Sequence, residues 1–147
     1  MEKLLVLLLL VGVSAVAAPK APNLFTCKAD GIDLTYSTSN FSGQPQFSVK
    51  INRNQYSKSG KNISVEKTSL GNVVSITKRS IPDLKSETVS LVVPSINLDD
   101  RTKEVEFETT LVETEHKTSI GGPQLVSGIL NPSKYTTVTC VAKSVVF

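Results

Sequence analysis

The chain has 147 residues, with 16 Lys and Arg, 13 Asp and Glu, one His, two Cys and no Trp. A net charge of +3 is too small to mark a nucleic-acid binder or a protein held on an anionic membrane by charge alone. Aromatic residues make up 5% of the chain, which argues against base-stacking and carbohydrate-stacking surfaces.

The N-terminus has the pattern of a secretory signal peptide, residues 1–17. Glu2 and Lys3 precede an apolar run from Leu4 to Val13, and Ala15-Val16-Ala17 offers small residues to a peptidase. Cleavage after Ala18 would leave Pro19 beside the scissile bond, so the cut is expected after Ala17. The apolar run falls short of the roughly 20 residues that span a bilayer. No later segment is apolar enough to form a spanning helix, so no membrane span is expected in the mature chain. The product is expected in a periplasmic or extracellular space, where two cysteines favour one disulfide, Cys27–Cys140. Closing so long a loop is worth at most about 4–5 kcal/mol. Leu24 to Cys27 vaguely follows a lipid-attachment motif, but Phe25 and Thr26 fit it poorly.

Residues 18–23 contain two prolines and are expected to be a mobile lead-in. Residues 24–147 then form a single β domain. Phe25, Cys27 and Ala29 alternate with polar residues up to Asp30-Gly31, a two-residue hairpin signal. Folding there pairs Ala29 with Ile32, Lys28 with Asp33, Cys27 with Leu34, Thr26 with Thr35 and Phe25 with Tyr36. One face collects Phe25, Cys27, Ala29, Ile32, Leu34 and Tyr36, so Cys27 points inward.

Thr38 to Pro45 is a polar loop, and Phe47, Val49 and Ile51 mark a third strand. Asn52-Arg53-Asn54 is turn chemistry, because Asn tolerates left-handed backbone. Short strands follow around Gln55-Tyr56, from Ile63 and over Val73 to Lys78. Ile81-Pro82-Asp83 cannot sit inside a central strand. A strand through Val89, Leu91 and Val93 ends at Pro94, and Asn97 to Arg101 is a polar turn. Val105, Phe107, Thr109 and Leu111 alternate with Glu104, Glu106 and Glu108, an acidic ladder on an exposed face. Glu113 and Glu115 then fall where apolar residues had been. A β-bulge near Leu111-Val112, or the strand leaving the core, would account for that. Gly121 to Pro123 is a loop, Leu125 to Leu130 a weak strand, and Tyr135 onward the last strand, with Cys140 between inward Val138 and Ala142.

The fold class is therefore all-β: a small antiparallel β-sandwich or barrel of about eight to ten short strands, the first and last joined by a disulfide. Most strands are shorter than the roughly 9–11 residues of a membrane strand, and there are no aromatic girdles.

Little in the chain suggests catalysis. His116 is the only histidine and lies in a charged stretch, which suits a solvated strand end better than a general base. No Gly-x-Ser-x-Gly elbow and no Gly-rich phosphate loop is present. One histidine excludes a His-rich zinc site, two cysteines nearly exclude a Cys-rich one, and Asp99-Asp100 lacks the spacing of a calcium loop. No catalytic residue, metal or cofactor is expected.

Charge is uneven along the chain. Eight basic residues lie between Lys50 and Lys85, and seven acidic residues between Asp99 and Glu115. Either the two runs are neighbours that neutralise each other, or the basic run meets a partner. In the second case the candidate interaction surface is Lys50, Arg53, Lys58, Lys61, Lys78 and Arg79, and the partner is a protein or an anionic envelope polymer. The expected function is an exported, non-catalytic binding module. The alternatives are a structural envelope subunit or a secreted inhibitor of an extracellular enzyme, with a hydrolase third. Residues Cys27 to Tyr36, Cys-Lys-Ala-Asp-Gly-Ile-Asp-Leu-Thr-Tyr, resemble the opening strand pair of small periplasmic lysozyme inhibitors of the C type. That likeness implies a small β-barrel with a cysteine near its start, and it carries over no functional residue.

Overall fold

A computed structural model describes residues 20–80, 84–99, 103–121, 124–129 and 131–146. The expected signal peptide and the break at Ile81-Pro82-Asp83 lie outside the described residues. Ten strands follow in order: β1 (Leu24–Ala29), β2 (Ile32–Ser37), β3 (Gln46–Ile51), β4 (Asn54–Ser59), β5 (Ile63–Thr68), β6 (Gly71–Ser80), β7 (Lys85–Val93), β8 (Glu104–Gly121), β9 (Gln124–Ile129) and β10 (Lys134–Lys143). They form one antiparallel sheet in the order β4-β3-β2-β1-β10-β8-β7-β6-β5, and β9 pairs with the distal part of β8.

The two ends of that sheet are neighbours in sequence. β4 passes to β5 through a single 3-10 turn, Gly60–Asn62. β3 pairs with β4 on one side and β6 pairs with β5 on the other. The two strands thus act as one bent strand that curls the sheet into a nearly closed barrel. Closure is incomplete. The β5–β6 ladder starts at Ile63↔Ile76, so Thr77 to Arg79 of β6 continue past β4 with no ladder between them among the described residues. This gap is called the seam below.

Alternation dictates the layers, since side chains at every second position point to one side of a strand. The inward positions are filled by Phe25, Cys27, Ile32, Leu34, Tyr36, Phe47, Val49, Ile51, Val74, Ile76, Val89, Leu91, Val93, Leu111, Val138, Cys140 and Ala142, all buried. Phe25 stacks on Tyr36 at 5.7 Å, and Phe107 and Phe47 meet that pair edge-on. The outward positions carry mostly Ser, Thr, Lys and Glu, with Val73, Val92 and Val141 among them. A wall that is apolar inside and polar outside reverses the arrangement of a transmembrane barrel. No helix among the described residues is long and apolar enough to cross a membrane.

The hairpin β1–β2 has the register expected from Asp30-Gly31, from Phe25↔Tyr36 to Ala29↔Ile32. Gly31 has φ +68° and Asn52 φ +53°, the left-handed backbone their turns require. Cys27 and Cys140 are direct partners in the β1–β10 ladder and are bonded, with α-carbons 3.9 Å apart. That lies well inside the roughly 7 Å a disulfide can bridge. The first and last strands lie side by side, and in strand order the bond sits on the far wall from the seam.

The barrel's two ends differ. At one, Lys20 and Leu98 exchange backbone hydrogen bonds of 2.9 Å, and Leu98 and Pro22 are buried. Asn23 exchanges side-chain bonds with the backbone of Val145. The last four residues of the expected lead-in thus lie against the barrel. The other end is lined by charged groups. The β8–β10 ladder runs unbroken from Glu104↔Lys143 to Glu113↔Lys134, so no bulge interrupts Leu111-Val112. Glu113 and Glu115 keep the inward phase of Val105, Phe107 and Leu111. They stand where the barrel opens to water, so the inward face can turn polar without a change of register.

Candidate functional site: a basic groove along the seam

Two surfaces concentrate chemistry: the charged mouth and the outside of the seam. At the mouth, a cavity of about 260 Å³ is lined by Tyr56, Glu87, Glu113, Glu115, Asn131 and Lys134, among others. Cross-strand pairing explains the crowd. Glu87 faces Glu115, Val89 faces Glu113, and Lys134 faces Glu113. Like charges directly opposite are unfavourable unless each finds another partner. Each does: the Tyr56 hydroxyl donates to Glu87 Oε2 at 2.7 Å, Asn131 donates to Glu115 Oε2 at 2.7 Å, and Lys85 pairs with Glu115 at 3.2 Å. Lys134 Nζ lies 3.1 Å from Glu113 Oε1 without hydrogen-bond geometry, so charge alone holds that enclosed oxygen.

Tyr56 ties the mouth to the seam. Its ring, on β4, carries Lys78 of β6 at 5.5 Å from the centroid, and its hydroxyl reaches β7. These are side-chain links across a gap that the backbone leaves open. Burial, the bond to Glu87 and the charges of Glu87 and Glu113 together push the Tyr56 hydroxyl up to about 12. Tyr56 is therefore a neutral donor at ordinary pH. No group of three His, Cys, Asp or Glu among the described residues could hold a metal ion.

The outside of the seam is different in kind. A groove of about 700 Å³ is lined by Lys58, Lys61, Asn62, Ile63, Ser64, Ser75, Thr77 and Arg79. Three elements supply its cations: β4 gives Lys58, the 3-10 turn gives Lys61, and β6 gives Arg79. No carboxylate lines it, and none of the three has an ion pair with a described residue. Ser75, Thr77 and Arg79 sit at alternate positions on the outer face of β6.

The six basic residues singled out from sequence therefore separate. Lys58, Lys61 and Arg79 share the groove, whereas Lys78 points to the inner side and rests on Tyr56. Lys50 and Arg53 are exposed on β3 and the β3–β4 turn, and Lys50 has Asp33 as its ladder neighbour. The Glu104, Glu106 and Glu108 ladder is exposed. The groove's hydroxyls and Asn62 escaped the sequence reading. The outward series Ser75-x-Thr77-x-Arg79 was a visible signal for half of them, but nothing local shows that Lys58 and Lys61 come alongside. No known protein-family model matches the chain, and no curated protein or solved structure matches it significantly. The lysozyme-inhibitor resemblance of residues 27–36 thus rests on one hairpin.

Proposed function

We propose that the chain is an exported, non-catalytic binding module that docks an anionic partner through the seam groove. The observation that carries this is the convergence of Lys58, Lys61 and Arg79 on one groove with no carboxylate among its walls. Cations that form no ion pair with a described residue raise the local concentration of an anion and set its orientation. The disulfide suits an oxidising compartment. The arrangement of His116 supports a non-catalytic role. It lies on the outer side of β8, out of phase with Glu113 and Glu115, between Ser86 and Ile129 in the ladder.

The test is capture from an envelope extract at low and high salt. The wild-type domain and a K50A/R53A variant are expected to retain one salt-sensitive partner, and K58E/K61E/R79E to lose it. Equal retention by all three would refute the groove as the docking surface. The structural-subunit reading draws on the β4-facing edge of β6 at Thr77 to Arg79, which makes no ladder there with the described residues, so that a second copy could add a strand. Concentration-dependent self-association in sedimentation, abolished by proline at Arg79, would favour it.

A further inference from the structure

Resting on that docking reading, we infer that the anion is an acidic polysaccharide chain rather than an acidic protein surface. Three observations bear on the choice. First, the groove's walls hold hydroxyls, one amide and cations; its one apolar residue, Ile63, is only 8% exposed. Protein interfaces concentrate their energy in aromatic or aliphatic anchors at a dry centre, and this groove has none to offer.

Second, the hydroxyls continue beyond the groove as an ordered grid. Ser64, Ser75 and Ser90 lie in one cross-strand row, and Thr77, Thr88 and Thr114 in the next. Ser75 and Ser90 hydroxyls are 2.8 Å apart and Thr77 and Thr88 hydroxyls 3.0 Å apart. These contacts fix the hydroxyl positions, and each oxygen keeps a lone pair or proton for a sugar hydroxyl.

Third, cations and hydroxyls share a groove that is long. The row through Arg79 holds Ser86 and His116, and the row beyond Ser75 in the other direction holds Glu66 with Val73. Ser75 to Arg79 spans about 13 Å of strand, more than a lone anion occupies. A chain that presents carboxylates and neutral hydroxyls together along that length matches it. Recognition would run through charge and hydrogen bonds, without the aromatic stacking that the composition lacks.

The oxidised mature domain is titrated with polygalacturonate, dextran and poly-L-glutamate by affinity electrophoresis. Polygalacturonate is expected to retard it, in a salt-sensitive way, and dextran not at all. K58A/K61A/R79A should weaken that binding roughly tenfold. S64A/T77A should weaken it roughly threefold and leave any poly-L-glutamate binding unchanged. Poly-L-glutamate bound as tightly as polygalacturonate, with S64A/T77A inert, would overturn the polysaccharide inference in favour of an acidic protein. So would a lack of binding to either polymer while K58E/K61E/R79E still abolished capture from extract; the docking reading would then survive. Loss of both effects would overturn both.

Discussion

The wall through β1 and β10 and the wall through β4 and β6 are held by opposite means. At the first, two ladders flank each strand, the inward side chains Phe25, Cys27 and Ala29 and Val138, Cys140 and Ala142 are apolar, and Cys27–Cys140 adds a covalent bond. At the second, the backbone makes no ladder, and Tyr56 bridges the gap by resting under Lys78 and bonding Glu87. The difference shows where a small barrel can leave a surface open. An unpaired edge carries exposed backbone polar groups and cationic neighbours that repel each other. The fold can hold such an edge when the opposite wall is secured independently.

The largest expected effect comes from releasing the secured wall. Reduction, or C27A/C140A, should lower unfolding stability by up to about 4–5 kcal/mol in a denaturant titration, since residues 27 to 140 would no longer form a closed loop. A loss below about 1 kcal/mol would show that the ladders alone secure the wall. Next is Gly71, which starts β6 with φ +133° and whose absent Cβ would run into the Val93 carbonyl. G71A should cost about 2 kcal/mol, because neither the backbone angle nor the neighbouring chain can yield cheaply.

Loosening the seam is expected to cost less. Y56F removes the bond to Glu87 and should lower stability by about 1 kcal/mol at neutral pH. Its pH signature is more telling. The folded chain holds the Tyr56 proton more tightly than the unfolded chain, whose phenol titrates near 10. The contribution is intact below pH ~10 and is lost as pH rises toward 12. Tm should therefore fall faster with alkaline pH in the wild type than in Y56F. Buried Tyr36, also raised by desolvation, leaves a remnant of that fall in both. The smallest effect on stability belongs to K58A/K61A/R79A, within about 0.5 kcal/mol of wild type, because these exposed cations form no ion pair with a described residue.

The secured wall was readable from the chain and the seam was not. Alternation about Asp30-Gly31 determines the β1–β2 register, and two inward cysteines on terminal strands imply the bond. Those are local patterns plus a single pairing choice. The seam depends on where the strand running from β4 through β5 bends and where its ladder to β6 stops, and no periodicity records either. Glu113 and Glu115 show the same limit. As a pattern they looked like a slip of phase; in the barrel they keep phase and simply reach its open end. Leu98 is a third case. It looked like part of a polar turn, yet it is buried through its bridge to Lys20, a partner far away in sequence.

Residue-resolved hydrogen exchange on the oxidised domain, with and without polygalacturonate, tests the contrast most directly. Amides of β1 and β10 around Cys27 and Cys140 should exchange slowest, at the rate of global unfolding. Seam-facing amides within Thr77 to Arg79 should exchange fastest among the β6 amides and slow on adding polygalacturonate. Seam-facing amides within Thr77 to Arg79 as protected as Cys140 in the free protein, or unmoved by any anion that binds, would contradict the account.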